Sequence, residues 1–231
     1  MIKENPFKKL TRFEWTLWIS SLSVILVSSL FSGPEGLLSG IASLIGVTAL
    51  IFVAKGMVLG QVMIIIFSVF YGIISFAFKY YGEVITYLGM SAPMALLALI
   101  SWIKNPFGDT GEVKVRKQLT FKQILIGIFG ALLVTLIFYF ILKELGNASL
   151  IVSTFSVTTS FIASYLVFLR SPYYALAYAV NDIVLIVLWI FAATKEISCL
   201  SMIFCFIMFF INDLYGFYNW RRMQKKQSSV G

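Results

Sequence analysis

The chain has 231 residues, of which 60% are hydrophobic and only 12% are charged, and its mean hydropathy is +0.93. This composition excludes a soluble globular protein and predicts a polytopic membrane protein surrounded by a lipid bilayer. The chain contains no His, the commonest general base and metal ligand, and the sequence predicts no catalytic residue, no metal site and no cofactor. The net charge of +8 is dispersed over turns and tails, so no nucleic-acid partner is predicted.

Eight apolar runs are each long enough to cross the hydrocarbon layer as a helix, judged over a window of about 19 residues. In chain order, the predicted spans are 13–31, 36–54, 58–78, 84–103, 121–142, 148–169, 173–194 and 197–219. The first run is expected to stay as a helix, because Glu14 and Trp15 open it and residues 28–32 offer no convincing cleavage site for a signal peptidase. We therefore expect an all-α protein with about eight transmembrane helices.

Lys and Arg are distributed unevenly between the two sides that these spans define. With the N-terminus in the cytoplasm, fifteen basic residues fall on the cytoplasmic side, and only Lys79, Lys143 and Lys195 fall outside. Each of these three lysines lies near a glutamate, so the outer loops are nearly neutral. The positive-inside rule therefore predicts a multi-pass protein of the plasma membrane with both termini in the cytoplasm.

The loop at residues 105–120 divides the chain into similar halves, each of which contains three closely connected spans. The expected parts of this single membrane domain are an extra helix (13–31), a first three-helix bundle (36–103), a linker helix (121–142), a second three-helix bundle (148–219) and a basic cytoplasmic tail (220–231). Matching the bundles aligns Trp102 with Trp220. Because one span separates the bundles, both have the same orientation, and we expect a parallel 3+1+3 repeat about an axis along the membrane normal.

The seventh span carries the pair Asn181–Asp182 in mid-run, where a carboxylate costs about 2.5 to 3.5 kcal/mol on insertion scales. At about 100° per residue, Tyr174, Tyr178 and Trp189 lie with this pair on one arc. The opposite face consists of Leu176, Val180, Ile183 and Val187. Since no Lys or Arg lies within the membrane to neutralise Asp182, we expect the polar face to line a cavity and contact a solute.

The eighth span carries a second pair, Asn212–Asp213. Cys205, Gly216 and Asn219 fall within about 40° of Asn212, whereas Asp213 diverges by about 100°. We therefore expect Asn212 and Asn219 to face the cavity, and Asp213 to be structural, satisfied by water or by the arginines after Asn219. The alternative for each Asn is an interhelical hydrogen bond, worth about 0.6 kcal/mol.

The run AVNDIVLIVLW at residues 179–189 and the run FINDLYGFYNWRRM at residues 210–223 resemble the C-terminal signature of the PnuC-type vitamin transporters, whose best-known substrate is nicotinamide riboside. This family is similar in architecture to the sugar-transporting SWEET proteins, in which a linker helix joins two three-helix bundles. The resemblance implies facilitated diffusion of an unphosphorylated vitamin, which cytoplasmic phosphorylation then traps. It also allows assembly as a homotrimer.

The resemblance suggests how the polar residues would hold this cargo. Nicotinamide riboside carries a cationic pyridinium ring, a carboxamide and ribose hydroxyls, and an aromatic face over a desolvated cation contributes up to about 2 kcal/mol. We expect Trp189 and Tyr178 to flank the ring, and Asn181, Asn212 and Asp182 to hold its polar edges. The remaining members of the expected substrate site are Tyr174 and Asn219.

Several alternatives remain open at the level of sequence. Tyr174 and Tyr178 stand where Trp is common in the family, and Ser164 stands where an amide is common, so a related vitamin such as thiamine, also a cationic aromatic molecule, is an alternative cargo. A membrane enzyme using Asp182 and Asp213 would lack a His and a nucleophile motif. In a non-transporting scaffold, the polar stripes would only join helices.

Overall fold

The structure is a computed structural model, and it describes residues 5–30, 33–77, 81–147, 149–194 and 200–230. Lys79 and Lys195, which the charge argument assigned to the outer side, lie outside these residues. The described chain is mainly helical, and a short 3-10 helix (Pro6–Lys9) comes first. The other helices are α1 (Arg12–Leu30), α2 (Gly33–Ala54), α3 (Val58–Ala77), α4 (Tyr81–Val84), α5 (Ala92–Ile103), α6 (Phe121–Glu144), α7 (Leu150–Phe168), α8 (Tyr174–Ala193) and α9 (Leu200–Val230), and a π-helical segment (Ile85–Ser91) joins α4 to α5.

Within the described ranges, six helical stretches are long and apolar enough to cross a membrane. They are Arg12–Leu30, Gly82–Ile103, Phe121–Glu144, Leu150–Phe168, Tyr174–Ala193 and Leu200–Ser229. The apolar helices Gly40–Ala54 and Val58–Ile73 are shorter. Each predicted span coincides with a helical stretch, and only the end of α9 lies far from the predicted boundary. The prediction of an all-α, multi-pass membrane protein is confirmed.

Local sequence explains several of the helix ends. At the start of α6, Thr120 and Gln123 form a capping box, in which each side chain accepts a hydrogen bond from the backbone N–H of the other. At the end of α2, Gly56 adopts a φ of 65°, which suits a residue without a Cβ. Arg170 closes α7 in the same way with a φ of 60°, and its N–H donates to the Val167 carbonyl as the Gly56 N–H donates to Val53.

Two buried tryptophans connect the halves of the chain. Trp102 in α5 donates from Nε1 to the Val167 carbonyl of α7 at 3.1 Å, and Trp220 in α9 donates to the Val53 carbonyl of α2 at 2.9 Å. The two ring centroids are 5.4 Å apart. This end of the bundle, where the α2–α3, α5–α6 and α7–α8 connections also lie, is called the tryptophan end below.

Helix α9 continues to Val230, so the tail predicted after Asn219 is helical over its described part. The reason is tertiary anchoring. Gln227 accepts a hydrogen bond from the Val115 N–H at 2.8 Å and donates to the Val113 carbonyl at 3.0 Å. These bonds satisfy backbone groups of the α5–α6 loop that would otherwise be buried without partners. Hydropathy cannot predict this extension of α9, because the residues beyond the apolar run are polar and are held in the helix by these hydrogen bonds.

The first helix, α1, packs against α2 and α9. Its buried Glu14 forms an ion pair with Lys55 at 3.2 Å and accepts a hydrogen bond from the Tyr215 hydroxyl. The indole of Trp18 donates to the Thr48 hydroxyl of α2 at 3.0 Å. The extra N-terminal helix is therefore joined to the second half of the chain as well as to the first.

Candidate functional site

A cavity of about 1250 Å³, counting its opening, lies between α3, the α4–α5 stretch, α7, α8 and α9. At one end it reaches Glu83 and Asn147, which lie near helix ends opposite the tryptophan end. At the other end stands Tyr174, which is 1% exposed and packs edge-on against Trp220 with the centroids 4.8 Å apart. The cavity is therefore closed at the tryptophan end by a layer of buried rings.

Helix α8 turns its polar face toward this cavity. Tyr174, Tyr178, Asn181 and Asp182 all contribute to the lining. The opposite face is exposed, as predicted, at Leu176, Val180, Ile183 and Val187. The structure thus places four residues of the predicted arc at the cavity, while contact between these residues and a solute stays a prediction.

Two residues of α8 are held in place by hydroxyl groups of α7. The Asn181 Oδ1 atom accepts hydrogen bonds from the Thr159 hydroxyl at 2.7 Å and from the Ser160 hydroxyl at 3.1 Å. Because its oxygen is used in this way, the Asn181 amide nitrogen is the group left to donate toward a solute. The Tyr178 hydroxyl lies 2.9 Å from the Ser164 hydroxyl, which fixes the ring against the cavity wall.

Two carboxyl groups meet inside the cavity. Asp182 and Asp213 are 3% and 4% exposed, and their carboxyl groups lie close enough to interact with each other. One proton on the pair would avoid two adjacent negative charges in a buried place. The Asp182 Oδ2 atom and the hydroxyl of Ser68, another lining residue, have no hydrogen-bond partner within the protein. The described lining contains no Lys or Arg, so these polar atoms are left to pair with a molecule that enters the cavity.

The structure reverses the roles expected for the second Asn-Asp pair. Asp213 lines the cavity, whereas Asn212 donates from Nδ2 to the Ser21 hydroxyl of α1 at 2.9 Å. Asn219 likewise faces away from the cavity and donates to the Ala54 carbonyl of α2 at 2.8 Å. The physical reason is that α9 packs against α8 on one side and against α1 and α2 on another. Neighbouring residues about 100° apart therefore meet different partners, and periodicity does not reveal which side holds the cavity.

Trp189 is half-buried and does not contribute to the cavity lining. It lies eight residues after Asn181 and thus about 12 Å further along the axis of α8. Leu188, at nearly the same depth, does line the cavity and lies only about 20° from Asn181 around the axis, whereas Trp189 lies about 80° away. At this depth the rotation around α8 therefore separates the indole from the cavity.

The first half of the chain supplies lining residues that the sequence analysis missed. Gln61 and Ser68 of α3, Glu83 of α4 and Tyr87 of the π-helical segment all face the cavity. A signal was present for α3, because two polar residues seven positions apart in an apolar helix share one face. No pattern indicated the π-helical segment, whose wider turn is common at functional sites.

The segment also depends on a close helix contact. A Cβ at Gly72 of α3 would lie 2.6 Å from the Leu88 side chain, so only glycine allows this approach. The contact sets the π-helical segment against α3, where the Tyr87 ring packs against Tyr71 with centroids 4.5 Å apart.

A cavity with a few polar side chains, enclosed by membrane-crossing helices and closed at one end, is the arrangement of a solute transporter. Among the described residues, no group of three or more Cys, Asp and Glu is placed to hold a metal ion. The chain belongs to the nicotinamide mononucleotide transporter family, whose sequence model matches residues 36–222. It is therefore a membrane transporter and not an enzyme.

Known relatives agree with this membership in sequence and in structure. The nicotinamide riboside transporter PnuC of Neisseria mucosa is 27% identical over 230 residues, covering 98% of this chain and 87% of the relative. The protein of the same name from Haemophilus influenzae is 25% identical, covering 91% and 90%. A crystal structure of the vitamin B3 transporter PnuC superposes with a TM-score of 0.78 at 27% identity, covering 94% of both chains.

Proposed function

We propose that this chain carries nicotinamide riboside across the plasma membrane, the substrate named for both relatives described above. The pyridinium ring of this vitamin has a permanent positive charge. The observation that carries the proposal is the Asp182–Asp213 pair, which faces a cavity whose described lining has no basic side chain. A desolvated cation is favourable there, because its positive charge pairs with the buried carboxyl groups, which have no basic side chain beside them.

The tyrosines and the amide of α8 complete this proposed site. Tyr178 and Tyr174 offer aromatic faces and edges beside the carboxyl pair, which suits a cationic ring. The Asn181 amide nitrogen can donate to the carboxamide oxygen or to a ribose hydroxyl. Of the other expected site residues, we propose that Asn212 and Asn219 act by holding α9 in position, and that Trp189 contacts the cargo only if the cavity extends in another state of the transport cycle.

Calorimetric titration of the purified protein with nicotinamide riboside tests this assignment. Hydrogen bonds to charged groups contribute about 1.5 to 3 kcal/mol, so Asp182→Asn should weaken binding roughly 10- to 100-fold. Asn181→Ala removes a neutral hydrogen bond of about 0.5 to 1.5 kcal/mol and should weaken it roughly 2- to 10-fold. Ile183→Ala, on the lipid-facing side of α8, is the matched control and should bind like the parent. Unchanged affinity in both cavity variants would refute the site.

Thiamine is the second candidate cargo, because the same carboxyl pair and tyrosines suit any flat aromatic cation. A thermal-shift panel with nicotinamide riboside, thiamine and uncharged riboflavin separates these cases, since a ligand that binds only the folded state raises its stability. We expect the largest shift with nicotinamide riboside and none with riboflavin.

We further propose that transport is facilitated diffusion, made net inward when the vitamin is phosphorylated in the cytoplasm. In proteoliposomes, flux should follow the vitamin gradient and should not respond to imposed proton or sodium gradients. Enclosing a nicotinamide riboside kinase with ATP should increase accumulation without raising the initial rate at saturating substrate. Accumulation against a gradient without the kinase would contradict this mechanism.

The proposed architecture is the 3+1+3 arrangement with an extra first helix and both termini in the cytoplasm. Paired features of the two halves support it. Trp102 and Trp220 donate to equivalent carbonyls, and Gly56 and Arg170 occupy equivalent turns. Alternating access would then require the ring layer at the tryptophan end to open toward the cytoplasm.

A homotrimer is part of the proposal as well. Helix α6 packs mainly against α7, and much of its remaining surface is exposed and apolar. That surface can meet lipid or a neighbouring protomer. Light scattering of the detergent-solubilised protein, corrected for bound detergent, distinguishes a trimer from a monomer.

A further inference from the structure

A second cavity, of about 780 Å³ counting its opening, lies at the tryptophan end and outside the cavity described above. Four of its lining residues are basic, namely Lys114, Arg116, Lys117 and Arg170. We call this cavity the basic pocket. Asn105, Val115, Gln227 and Ser228 complete its lining, which contains no acidic residue. The pocket thus concentrates positive charge without an internal counter-ion.

The walls of the basic pocket are fixed by hydrogen bonds. The Arg116 side chain donates from Nε to the Leu169 carbonyl at 3.1 Å, and its backbone N–H donates to the Arg170 carbonyl at 3.0 Å. Gln227 holds the backbone on both sides of Lys114 through its bonds to Val113 and Val115. The α5–α6 loop is therefore pinned to α7 and α9, and the cationic side chains converge from a rigid backbone.

Arg170 occupies this pocket at an energetic disadvantage. Its φ of 60° is unfavourable for a residue with a Cβ, and the equivalent turn after α2 uses Gly56. Its buried Nε atom has no hydrogen-bond partner within the protein. Burial lowers the pKa of the Arg170 guanidinium, and repulsion from Arg116 lowers it further. A turn alone would be better served by glycine, so the guanidinium itself is the feature that calls for an explanation.

The positive-inside rule explains the sign of these charges but not their arrangement. Basic residues that only set orientation can point into solvent, as the exposed Lys104 and Lys122 do at the same end of the molecule. Here two guanidinium groups lie close enough to repel each other. The partly buried guanidinium of Arg170 makes one long hydrogen bond, from Nη1 to the Lys114 carbonyl at 3.4 Å, while its Nε atom has no partner. An anion bound between the two guanidinium groups would offset both their mutual repulsion and the desolvation of Arg170.

We infer that the basic pocket binds a phosphate group, supplied either by an anionic phospholipid or by a soluble phosphomonoester. Guanidinium groups match the geometry of phosphate oxygens and bind them in a bidentate manner. Arg116 and Arg170 would hold the phosphate, while Lys114 and Lys117 at the rim would add attraction. This site is separate from the vitamin cavity, and the inference does not rest on the proposed cargo.

The test compares two double variants that each remove two positive charges, Lys114→Gln with Lys117→Gln and, as a control, Lys104→Gln with Lys122→Gln. Each protein is placed in nanodiscs of phosphatidylcholine alone or with phosphatidylglycerol, and bound lipid is measured by native mass spectrometry. In a second arm, inorganic phosphate and ribose 5-phosphate are titrated into the phosphatidylcholine nanodiscs. We expect the pocket variant to lose about tenfold or more in affinity for the phosphate source that the parent binds, and the control to match the parent.

Retention of phosphatidylglycerol would identify the lipid headgroup as the source, and saturable binding in the second arm would identify a soluble ester. Binding of neither source by the parent, or equal binding by both double variants, would overturn the inference. Arg170→Gly provides an independent variant, because glycine suits the positive φ and should preserve the turn. It should unfold at the parent's temperature or above and still lose phosphate binding. Nicotinamide riboside binding by the lysine variant should be unchanged, which separates this result from the test of the cargo.

Discussion

Two identical dipeptides have different roles in this molecule, because position in the bundle decides what each side chain meets. In α8, the cavity spans a wide arc and receives both Asn181 and Asp182. In α9, the arc is narrower, so Asp213 faces the cavity while Asn212 bonds to Ser21 and to its own helix. A polar residue in a membrane helix thus serves either packing or transport, and only the neighbouring helices distinguish the two.

Substitution of Asn212 and substitution of Asp213 should therefore affect different properties, namely stability for the first and substrate binding for the second. Asp213→Asn should weaken nicotinamide riboside binding about tenfold or more, because it replaces one carboxyl group of the pair that faces the cargo by a neutral amide, and should change the melting temperature little. Asn212→Ala removes the hydrogen bond from α9 to the Ser21 hydroxyl of α1, and should cost about 0.5 to 1.5 kcal/mol of stability while affinity is kept. Titration calorimetry and thermal unfolding measure the two quantities. The same pattern in both variants would contradict the assignment.

At the residue scale, sequence could predict that α8 has a polar face, since Tyr174, Tyr178, Asn181 and Asp182 are spaced for one helix surface. It could not predict the carboxyl pair. That contact joins residues on different helices, 31 positions apart in the chain, and depends on how α8 and α9 rotate against each other. Periodicity within one helix contains no information on that rotation.

At the scale of elements, hydropathy located the helices well, because each apolar run must be helical to satisfy its backbone within a bilayer. Hydropathy did not predict the features that depend on contacts between helices. The π-helical segment depends on the approach of Gly72 to Leu88, and the end of α9 depends on Gln227. The tryptophan pair was predicted in part. Alignment of the two halves matched Trp102 with Trp220, but it did not indicate that their rings touch.

These tryptophans should contribute equally to stability, because each connects the halves by the same kind of bond. Trp102→Phe and Trp220→Phe both retain an aromatic ring but remove one of the hydrogen bonds that the Val167 or Val53 carbonyl accepts, a loss of about 0.5 to 1.5 kcal/mol. Trp15, which is 37% exposed, supplies the control Trp15→Phe. Thermal unfolding in detergent should show lower melting temperatures for the first two variants only. A destabilised control, or a neutral effect at either buried site, would argue against the equivalence.

At the scale of the whole molecule, charge asymmetry predicts orientation, and the structure gathers the described basic residues other than Lys143 at one end. Those at the tryptophan end include Lys55, Lys104, Arg170 and the basic residues of α9. Lys143, at the end of α6, lies on the other side beside Glu144. The positive-inside rule therefore predicts that the tryptophan end faces the cytoplasm and that the end of the cavity at Glu83 and Asn147 faces outward.

Cysteine labelling in intact cells tests this orientation. In a background with both native cysteines replaced, Glu144→Cys places an exposed thiol at the end opposite the tryptophans, and Asp109→Cys places one in the α5–α6 loop. A membrane-impermeant maleimide should label the first variant at once and the second only after the membrane is permeabilised. The expected result follows from the cost of moving many cationic side chains across the bilayer during insertion, which retains the basic end inside. Labelling of the loop variant in intact cells would place the basic pocket outside and would reverse the direction in which the vitamin cavity opens.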